Sequence, residues 1–547
     1  MPEVLRRCRL ASLALVLLLS ACSGGGGADE DSISLTLSSE AVRFTATSPR
    51  AASPEPETVT ATFGPGIAQV SAVHSGAAID DIEFSISGQT AQIRIVPPRP
   101  RDIGSGIFNG AVAVTGFVCA DAACSTLSAG PTRTISVSYQ VSPIVDLVAP
   151  YVATAGTSDT VLLRGQGFSA FNIAAVNFGS TPATNFAEVL GLGGIELRVV
   201  HPELVVGTYP VHIEVPDHQG EVISDARLVV VAPTSYAAQA LAYPAPGPVV
   251  RSLIYDPERA ALLVATEANG GTILRYAFDG TSWGAPTSVA LPGLMDMTLS
   301  IRGTDLLALT RTALTPVDPL TLAPGTPVEP PELAEGSFLK SIAVTNSDTA
   351  VVTTGTDESA TTTELLYRNG EIVEATLSLN NATVAGSADG SKVVFVQGHP
   401  DLDGDPAVFL YTAETNNFTN GRLNLNQNEF APVVNRTGSR VILNGRRVYI
   451  QAGDFAILGL LPETTLAVAL RPDGTRAYTY DSEANGILTF DISEPVDDDD
   501  DEGVYTPLGP AVPLIANPGT GVKMTISHDG RTLFLAGSTQ LVIQPTP

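Results

Sequence analysis

The chain has 547 residues, which is too long for one domain and predicts about three or four. Only 16% of the residues are charged, while 50 Gly and 40 Pro favour short strands and turns over helices. The formal net charge is −28, and no Lys/Arg-rich run offsets it. Such a polyanion repels phosphate backbones, so nucleic acid is not expected as a partner. Cationic partners and divalent ions stay open.

The first residues carry the pattern of an export signal. Residues 1–21 start with basic residues and continue in an apolar run too short to span a bilayer, which predicts a cleaved signal peptide. Leu19-Ser-Ala-Cys22 resembles a bacterial lipobox. The resemblance implies that Cys22 is acylated, becomes the new N-terminus and holds the protein on a membrane. The Gly-rich residues 22–31 would then form a flexible tether.

The residue after Cys22 suggests in which membrane the protein is located. Ser23 stands where lipoproteins of enteric bacteria carry their sorting signal, and this similarity implies the outer membrane. The alternative is an ordinary secretory signal in which Cys22 is incidental.

Residues 32–142 alternate between apolar and polar side chains, as half-buried strands do. About seven strands in this length predict an Ig-like β-sandwich. The predicted strands are Ile33–Leu37, Val42–Ala46, Val59–Phe63, Ile82–Ile86, Ala91–Ile95, Gly110–Val114 and Ile135–Tyr139.

One pair of cysteines remains available to form a disulfide. Cys8 would leave with the signal peptide and Cys22 would carry lipid, so Cys119 and Cys124 remain. In an oxidising periplasm or on the cell surface these two are predicted to form a disulfide at a hairpin tip. The alternative, a metal or redox pair, has no further Cys and no His close in sequence to support it.

Residues 143–233 resemble the IPT/TIG family. The resemblance rests on the turn Gly165-Gln-Gly-Phe168, on Val176-Asn-Phe-Gly179 and on the strand Gly207–Val215. It implies a second Ig-like fold that serves as a spacer or interaction module, with Phe168 in its core. The three histidines of this stretch are predicted to be surface residues rather than metal ligands: His201, His212 and His218.

Residues 234–547 contain a pattern of strand, polar turn and second strand that returns seven times. The turn positions span 271 residues in six steps, or about 45 per repeat, which is the period of a propeller blade with four strands. They are Arg259, Gly303, Asp348, Gly390, Gly438, Gly474 and Gly530. The pattern resembles YVTN or surface-layer propellers, since the dipeptides of true WD40 repeats are absent. The last copy lacks room for its outer strand, which Tyr236–Tyr243 is predicted to supply.

Three motifs suggest chemistry. Gly280–Gly284 matches the G-x-S-x-G pattern around Ser282, but its position between two strands predicts a hairpin loop and no nucleophile. The carboxylates of Asp401, Asp403 and Asp405 alternate as in a Ca²⁺ loop and are the candidate metal ligands. Pro406 in place of Gly favours solvated acids there instead. The acidic run 497–502 is predicted to be disordered.

The sequence therefore predicts an all-β protein with two Ig-like sandwiches and a seven-bladed propeller. The favoured function is a membrane-anchored, non-catalytic binding or scaffolding module for an envelope protein or glycan, acting through the funnel face of the propeller. The competing function is a hydrolase or lactonase with an axial divalent cation. Three or more inward carboxylates at the ring centre would favour the enzyme, whereas an apolar or loosely polar channel would count against it.

Overall fold

The computed structural model describes residues 33–547 apart from 189–194, 217–221, 246, 357–360, 398–407, 414, 421–430, 444–445, 451–454, 463–466 and 499–500. The predicted signal peptide, Cys22 and the predicted tether lie outside these residues. The described part is rich in strands and has few helical residues; its helical turns are α1 (Pro100–Ile103) and the 3₁₀ turns Phe168–Ala170 and Ala268–Gly270. The all-β prediction is confirmed. Among the described residues, no helix has the length and apolarity to cross a membrane.

Sandwich 1 consists of two four-stranded sheets that enclose one apolar core, which includes Phe44, Ile93 and Tyr139. The sheet orders are β1-β3-β6-β5 and β2-β8-β7-β4. The strands are β1 (Leu35–Leu37), β2 (Ala41–Ala46), β3 (Glu57–Phe63), β4 (Gln69–Gly76), β5 (Asp81–Ser87), β6 (Thr90–Val96), β7 (Gly106–Cys119) and β8 (Leu127–Val141). The sequence missed β4, because only Gln69 and Val70 at its start are buried and its apolar alternation is weak.

The hairpin of β7 and β8 ends in a fixed tip. Cys119 and Cys124 are joined by a disulfide, with Cα atoms 4.7 Å apart. Asp121 accepts hydrogen bonds from the backbone and hydroxyl groups of Ser125 and Thr126. These bonds, the Thr126 hydroxyl first, hold the pKa of Asp121 well below its usual value.

Sandwich 2 also has two sheets around one core, in the orders β10-β17-β16-β12-β13 and β14-β15-β11-β9. Phe168 is 2% exposed within this core. Gly165 has no alternative there, since a Cβ would overlap the Ile144 carbonyl oxygen. The strands are β9 (Ile144–Ala149), β10 (Val152–Thr154), β11 (Thr160–Gln166), β12 (Ala175–Phe178), β13 (Thr181–Pro182), β14 (Asn185–Glu188), β15 (Glu196–Val200), β16 (Gly207–Glu214) and β17 (Val222–Val231).

Two histidines of sandwich 2 correct the sequence prediction. His201 and His212 are buried, at 0% and 8% exposure, rather than on the surface. The ring of His201 bonds the Pro202 carbonyl through Nδ1 at 2.8 Å and accepts the Asp159 N–H at Nε2. This pairing fixes the neutral tautomer, and burial lowers the pKa of His201. His218 lies outside the described residues.

Apart from one two-stranded hairpin, the remaining strands form seven sheets that close into a ring. Each innermost strand contacts the innermost strand of the next blade, and the last contacts the first. The seven-bladed propeller is thereby established. We number the blades 1 to 7 in chain order and give the strands of each from innermost to outermost. Blade 1 is β19 (Val250–Asp256), β20 (Ala261–Thr266), β21 (Thr272–Ala277), β22 (Thr287–Ala290); blade 2 is β23 (Leu294–Leu299), β24 (Leu306–Thr310), β25 (Leu314–Val317); blade 3 is β26 (Ser337–Val344), β27 (Thr349–Thr356), β28 (Thr361–Arg368), β29 (Glu371–Asn380); blade 4 is β30 (Thr383–Gly386), β31 (Lys392–Val396), β32 (Val408–Thr412), β33 (Asn417–Asn420). Blade 5 is β34 (Val433–Val434), β35 (Arg440–Leu443), β36 (Arg447–Ile450), β37 (Ala456–Leu460); blade 6 is β38 (Val468–Leu470), β39 (Arg476–Asp481), β40 (Gly486–Asp491), β43 (Val512–Pro513); and blade 7 is β44 (Lys523–Ile526), β45 (Thr532–Ala536), β46 (Gln540–Pro545), β18 (Gln239–Ala242).

Blade 2 departs from the predicted four strands. It has three, and isolated bridges Leu314–Val328 and Val317–Pro324 cover its outer edge. The covering segment is rich in proline, which cannot donate to a further strand and so protects the edge. The acidic run also differs from its prediction, because β41 (Asp497–Asp498) and β42 (Asp501–Glu502) pair as a short hairpin.

Ring closure follows the sequence prediction. Strand β18, within the predicted segment 236–243, pairs antiparallel with β46, and Leu241 lies opposite Leu541. The first and last strands of the propeller therefore share a sheet, which removes an exposed edge.

The repeat turn was also located correctly in six of seven copies. Gly303, Asp348 and the four later glycines all have positive φ, where a turn must reverse the chain. In the first copy the positive φ lies at Ala260, one residue after the predicted Arg259. The Asp256 side chain there binds the Arg259 backbone N–H and guanidinium, which replaces the glycine turn of the later copies.

Candidate functional site

The seven innermost strands surround an axial channel. A cavity of about 410 Å³ in it is lined by residues from every innermost strand and by residues 150–154 of sandwich 2. Its wall is mainly apolar beside Ile254, Met297 and Ile342, and hydroxyl groups such as that of Thr525 interrupt it. No Asp or Glu is among the described residues that line it.

Sandwich 2 closes the end of the channel at which the repeat turns lie. Leu147 and Ala149 are buried against Ile301 of blade 2 and pack on Val344 of blade 3. The Tyr151 ring lies directly over Gly303, so closely that a Cβ on this glycine would overlap it. The turn glycine of the second repeat therefore serves both the turn and the contact between domains.

Hydrogen bonds from blades 2 and 3 surround this apolar contact. Arg302 donates to the Asp146 carbonyl at 2.6 Å, and Arg164 donates to the Asn346 side-chain oxygen at 2.7 Å. Asp146 also bonds Arg50 of sandwich 1 at 2.7 Å. A chain of contacts thus links sandwich 1, sandwich 2 and the propeller.

Blades 1, 5 and 7 hold sandwich 2 in the same way. Arg436 of blade 5 pairs with Asp159 at 3.3 Å, and Arg227 pairs with Glu258 of blade 1 at 3.0 Å. In blade 7, Asp529 accepts two bonds of 2.7 Å from Thr234, in the linker before the propeller. Burial opposes ionisation of Asp529, but the bonds from Ser527 and Thr234 still lower its pKa. Five of the seven repeat turns therefore contact sandwich 2 or its linker.

His528 lies beside this interface. Its ring stacks on Tyr255 with centroids 6.3 Å apart and lines the axial cavity. Neither ring nitrogen has a hydrogen-bond partner among the described residues. Burial lowers the pKa of His528 to about 4, so the ring is neutral near pH 7.

Charged residues gather at the opposite, open mouth of the channel. Asp296 of β23 accepts bonds from the Ser341 hydroxyl at 2.8 Å and the Ile342 N–H at 3.1 Å, and so joins two blades. Burial raises the pKa of Asp296. Arg251 pairs with Glu267, while Lys523, exposed at the start of β44, forms no hydrogen bond or ion pair with a described residue.

A buried carboxyl in blade 3 was not foreseen from the sequence. Glu364 is 0% exposed, its Oε2 accepts the Thr354 N–H at 2.8 Å, and its Oε1 has no hydrogen-bond partner in the described part of the chain. Burial raises the pKa of Glu364 well above its usual value, and the neighbouring Lys340 has its pKa lowered, also by burial. Lys340 donates to the Asn381 carbonyl. Glu364 stands in an apolar strand pattern, and nothing in that pattern marks it as buried.

The predicted chemical motifs do not converge on one site. Asp401, Asp403 and Asp405 lie outside the described residues. Cys119 and Cys124 form the hairpin tip in sandwich 1 and not in the propeller. Ser282 lies in a hairpin loop, as the sequence predicted. Its backbone N–H donates a hydrogen bond to Asp279 at 2.8 Å. Among the residues that the structure describes, no group of three His, Cys, Asp or Glu side chains could hold a metal ion.

No family model and no curated protein matches the chain. Among solved structures it is similar to hydrazine synthase of Kuenenia stuttgartiensis, with 13% identity and a TM-score of 0.43 over 57% of this chain and 99% of that one. It is also similar to Hsv2 of Kluyvelomyces marxianus, with 10% identity and a TM-score of 0.38 over 55% and 98%. The β-propeller domain of Cps50 (Swd1) from Myceliophteria thermophila gives 11% identity and a TM-score of 0.39 over 57% and 100%. Likenesses this distant say nothing about function, and the blade count rests on the sheet order above.

Proposed function

We propose that the chain is a lipid-anchored, non-catalytic binding or scaffolding protein of the bacterial envelope, and that the open mouth of its propeller is the binding surface. One observation carries this proposal. Sandwich 2 occupies the face formed by the repeat turns, which leaves the opposite face of the described propeller for a partner.

The sandwiches act as a spacer in this proposal. Cys22 bears the lipid, residues 22–31 form the tether, and sandwich 1 follows. Sandwich 2 is of the IPT/TIG type, which is consistent with the buried Phe168 and the close approach at Gly165. The bonds that join the three units would hold the open mouth away from the membrane, on the outer membrane of the cell. An envelope protein or glycan is the proposed partner.

The channel chemistry favours binding over the competing lactonase. An axial cation of that kind needs several inward carboxylates. The described residues of the cavity lining include none, and Asp296 near the open mouth already accepts hydrogen bonds within its own blade and from blade 3.

The test is a pull-down of the acylated protein from its own envelope, with mass spectrometry of the recovered partners. Val249, 54% exposed beside the open mouth, and Leu320, 58% exposed after the outer strand of blade 2, offer a matched pair. V249D should reduce partner recovery, whereas L320D should not. Recovery of no partner, together with metal-dependent ester or lactone hydrolysis, would overturn the proposal.

A further inference from the structure

Three basic side chains lie near the open mouth of this acidic chain: Arg251, Lys340 and Lys523. The chain has three lysines, Lys340, Lys392 and Lys523, against a net charge of −28. Lys340 and Lys523 both stand on innermost strands near the open mouth, beside Arg251. Lys392 begins the second strand of blade 4, next to a repeat turn, and therefore lies at the other end.

Lys523 is a basic residue near this mouth that forms no hydrogen bond or ion pair with a described residue. Lys340 donates to the Asn381 carbonyl, and Arg251 pairs with Glu267. Lys523 has neither kind of partner among the described residues. Its ammonium interacts electrostatically with Arg251 in blade 1 and Asp296 in blade 2, the two blades that follow blade 7 around the ring. Burial lowers its pKa, although the side chain is partly open to solvent.

Asp296 attracts the Lys523 ammonium but forms no ion pair with it in the described structure. Its two oxygens accept from the Met297 N–H, the Ser341 hydroxyl and the Ile342 N–H. Three donors therefore hold the carboxyl in place, and a ligand's own carboxylate can approach Lys523 without displacing an existing pair.

The cavity supplies the second half of a binding site. Its wall includes Met297 and Thr525, which follow Asp296 and Lys523 on the same two strands, so it starts just below the rim. Sandwich 2 closes its far end. A volume of about 410 Å³ lies within the range of small-molecule sites. The apolar wall suits a short hydrocarbon body and offers little to a purely inorganic anion.

We infer that the open mouth binds a small organic acid, with its carboxylate on Lys523 at the rim and its apolar chain inside the axial cavity. This inference deepens the proposed function, since it assigns a ligand class to the same mouth.

The test compares hexanoate with hexanamide, which has nearly the same shape and no charge, by calorimetric titration of the full-length protein. Hexanoate should bind in a saturable way, and hexanamide should bind at least about tenfold more weakly, because a charge-assisted hydrogen bond is lost. K523Q should weaken hexanoate by about the same factor, whereas K523R should retain binding. K392Q is the matched control and should bind as the wild type does.

Acetylation of the lysines gives a second, independent readout. With three lysines in the chain, mass spectrometry can follow each one separately. Hexanoate should protect Lys523 from an amine-reactive reagent and leave Lys392 unprotected, and hexanamide should protect neither.

Two outcomes would overturn the inference: hexanoate binding that K523Q leaves unchanged, or no saturable binding at all. If the envelope pull-down still recovers a partner that V249D loses, the proposed function stands while the ligand assignment fails. Unfolding of K523Q, followed by Trp283 fluorescence, shows whether a loss of binding comes from misfolding, and K523R then decides the question.

Discussion

Acid should weaken the propeller through one histidine, and the size of the effect follows from its position. His528 packs against Tyr255 beside the axial cavity, with no acceptor for either ring nitrogen among the described residues. Burial lowers its pKa from 6.5 to about 4. The unfolded chain therefore binds a proton at His528 more readily than the folded chain does. The stabilising contribution is complete above about pH 6.5 and falls as the pH drops toward 4.

The magnitude follows from the two pKa values. Proton linkage gives a loss of about 2 kcal/mol at pH 5 and about 3 kcal/mol at pH 4, relative to pH 7. H528Q removes the titrating group, so the variant should lose less free energy of unfolding than the wild type by these amounts over the same pH range. Asp529 is electrostatically coupled to His528, so its own contribution also changes in H528Q, whereas groups distant from His528 contribute equally to both proteins and cancel in the comparison.

Because the chain has a single tryptophan, its fluorescence reports unfolding around one position. Trp283 packs against Tyr236 and Phe534, and Phe534 stacks on Tyr255, the same ring that contacts His528. Urea unfolding followed by Trp283 fluorescence therefore reports the part of the propeller in which blades 7 and 1 meet. Equal pH dependence of wild type and H528Q would refute the argument that burial depresses this pKa.

Three further outcomes are expected. L541A removes a fully buried side chain from the closing strand pair and should cost about 2–5 kcal/mol in urea unfolding, while V504A, at an exposed position, should cost at most about 0.5 kcal/mol. G165A should prevent sandwich 2 from folding, because the added Cβ would overlap the Ile144 carbonyl oxygen, and rapid proteolysis of that part would report the loss. Stable folding of this variant would contradict the requirement for glycine at position 165. C22S should release the protein from the membrane fraction and remove the acyl mass from its N-terminus; continued membrane association would contradict lipidation at Cys22.

The sequence predicted the propeller well because its signals are local. A turn with positive φ needs glycine or a similar residue, and a strand buried between blades needs a run of apolar residues, as in β20 and β45. Both signals recur at a fixed spacing. Even the closing strand was predictable, because a missing strand at one end of the chain must come from the other.

Other features were hidden because they depend on partners distant in sequence. His201 looks like a surface residue until the Asp159 N–H and the Pro202 carbonyl satisfy its ring. Glu364 sits in an ordinary strand, and only the packing of blade 3 makes it fully buried. The rim of the open mouth combines blades 7, 1 and 2, and Lys523 of blade 7 is more than 200 positions from Arg251 and Asp296 in the chain.

The direction of the strands explains why the repeat turn became a docking surface. Every innermost strand runs the same way along the axis, so the turn that follows it must lie at the same end of the ring in all seven blades. A domain placed at that end meets many turns at once, as Arg302, Arg436 and Asp529 show. The residues that make the repeat recognisable therefore hold sandwich 2. The positions that vary between repeats, such as Arg251, Asp296 and Lys523, form the mouth that stays open. The regular part of the repeat builds the propeller, and the positions that differ between repeats are where its binding function is to be sought.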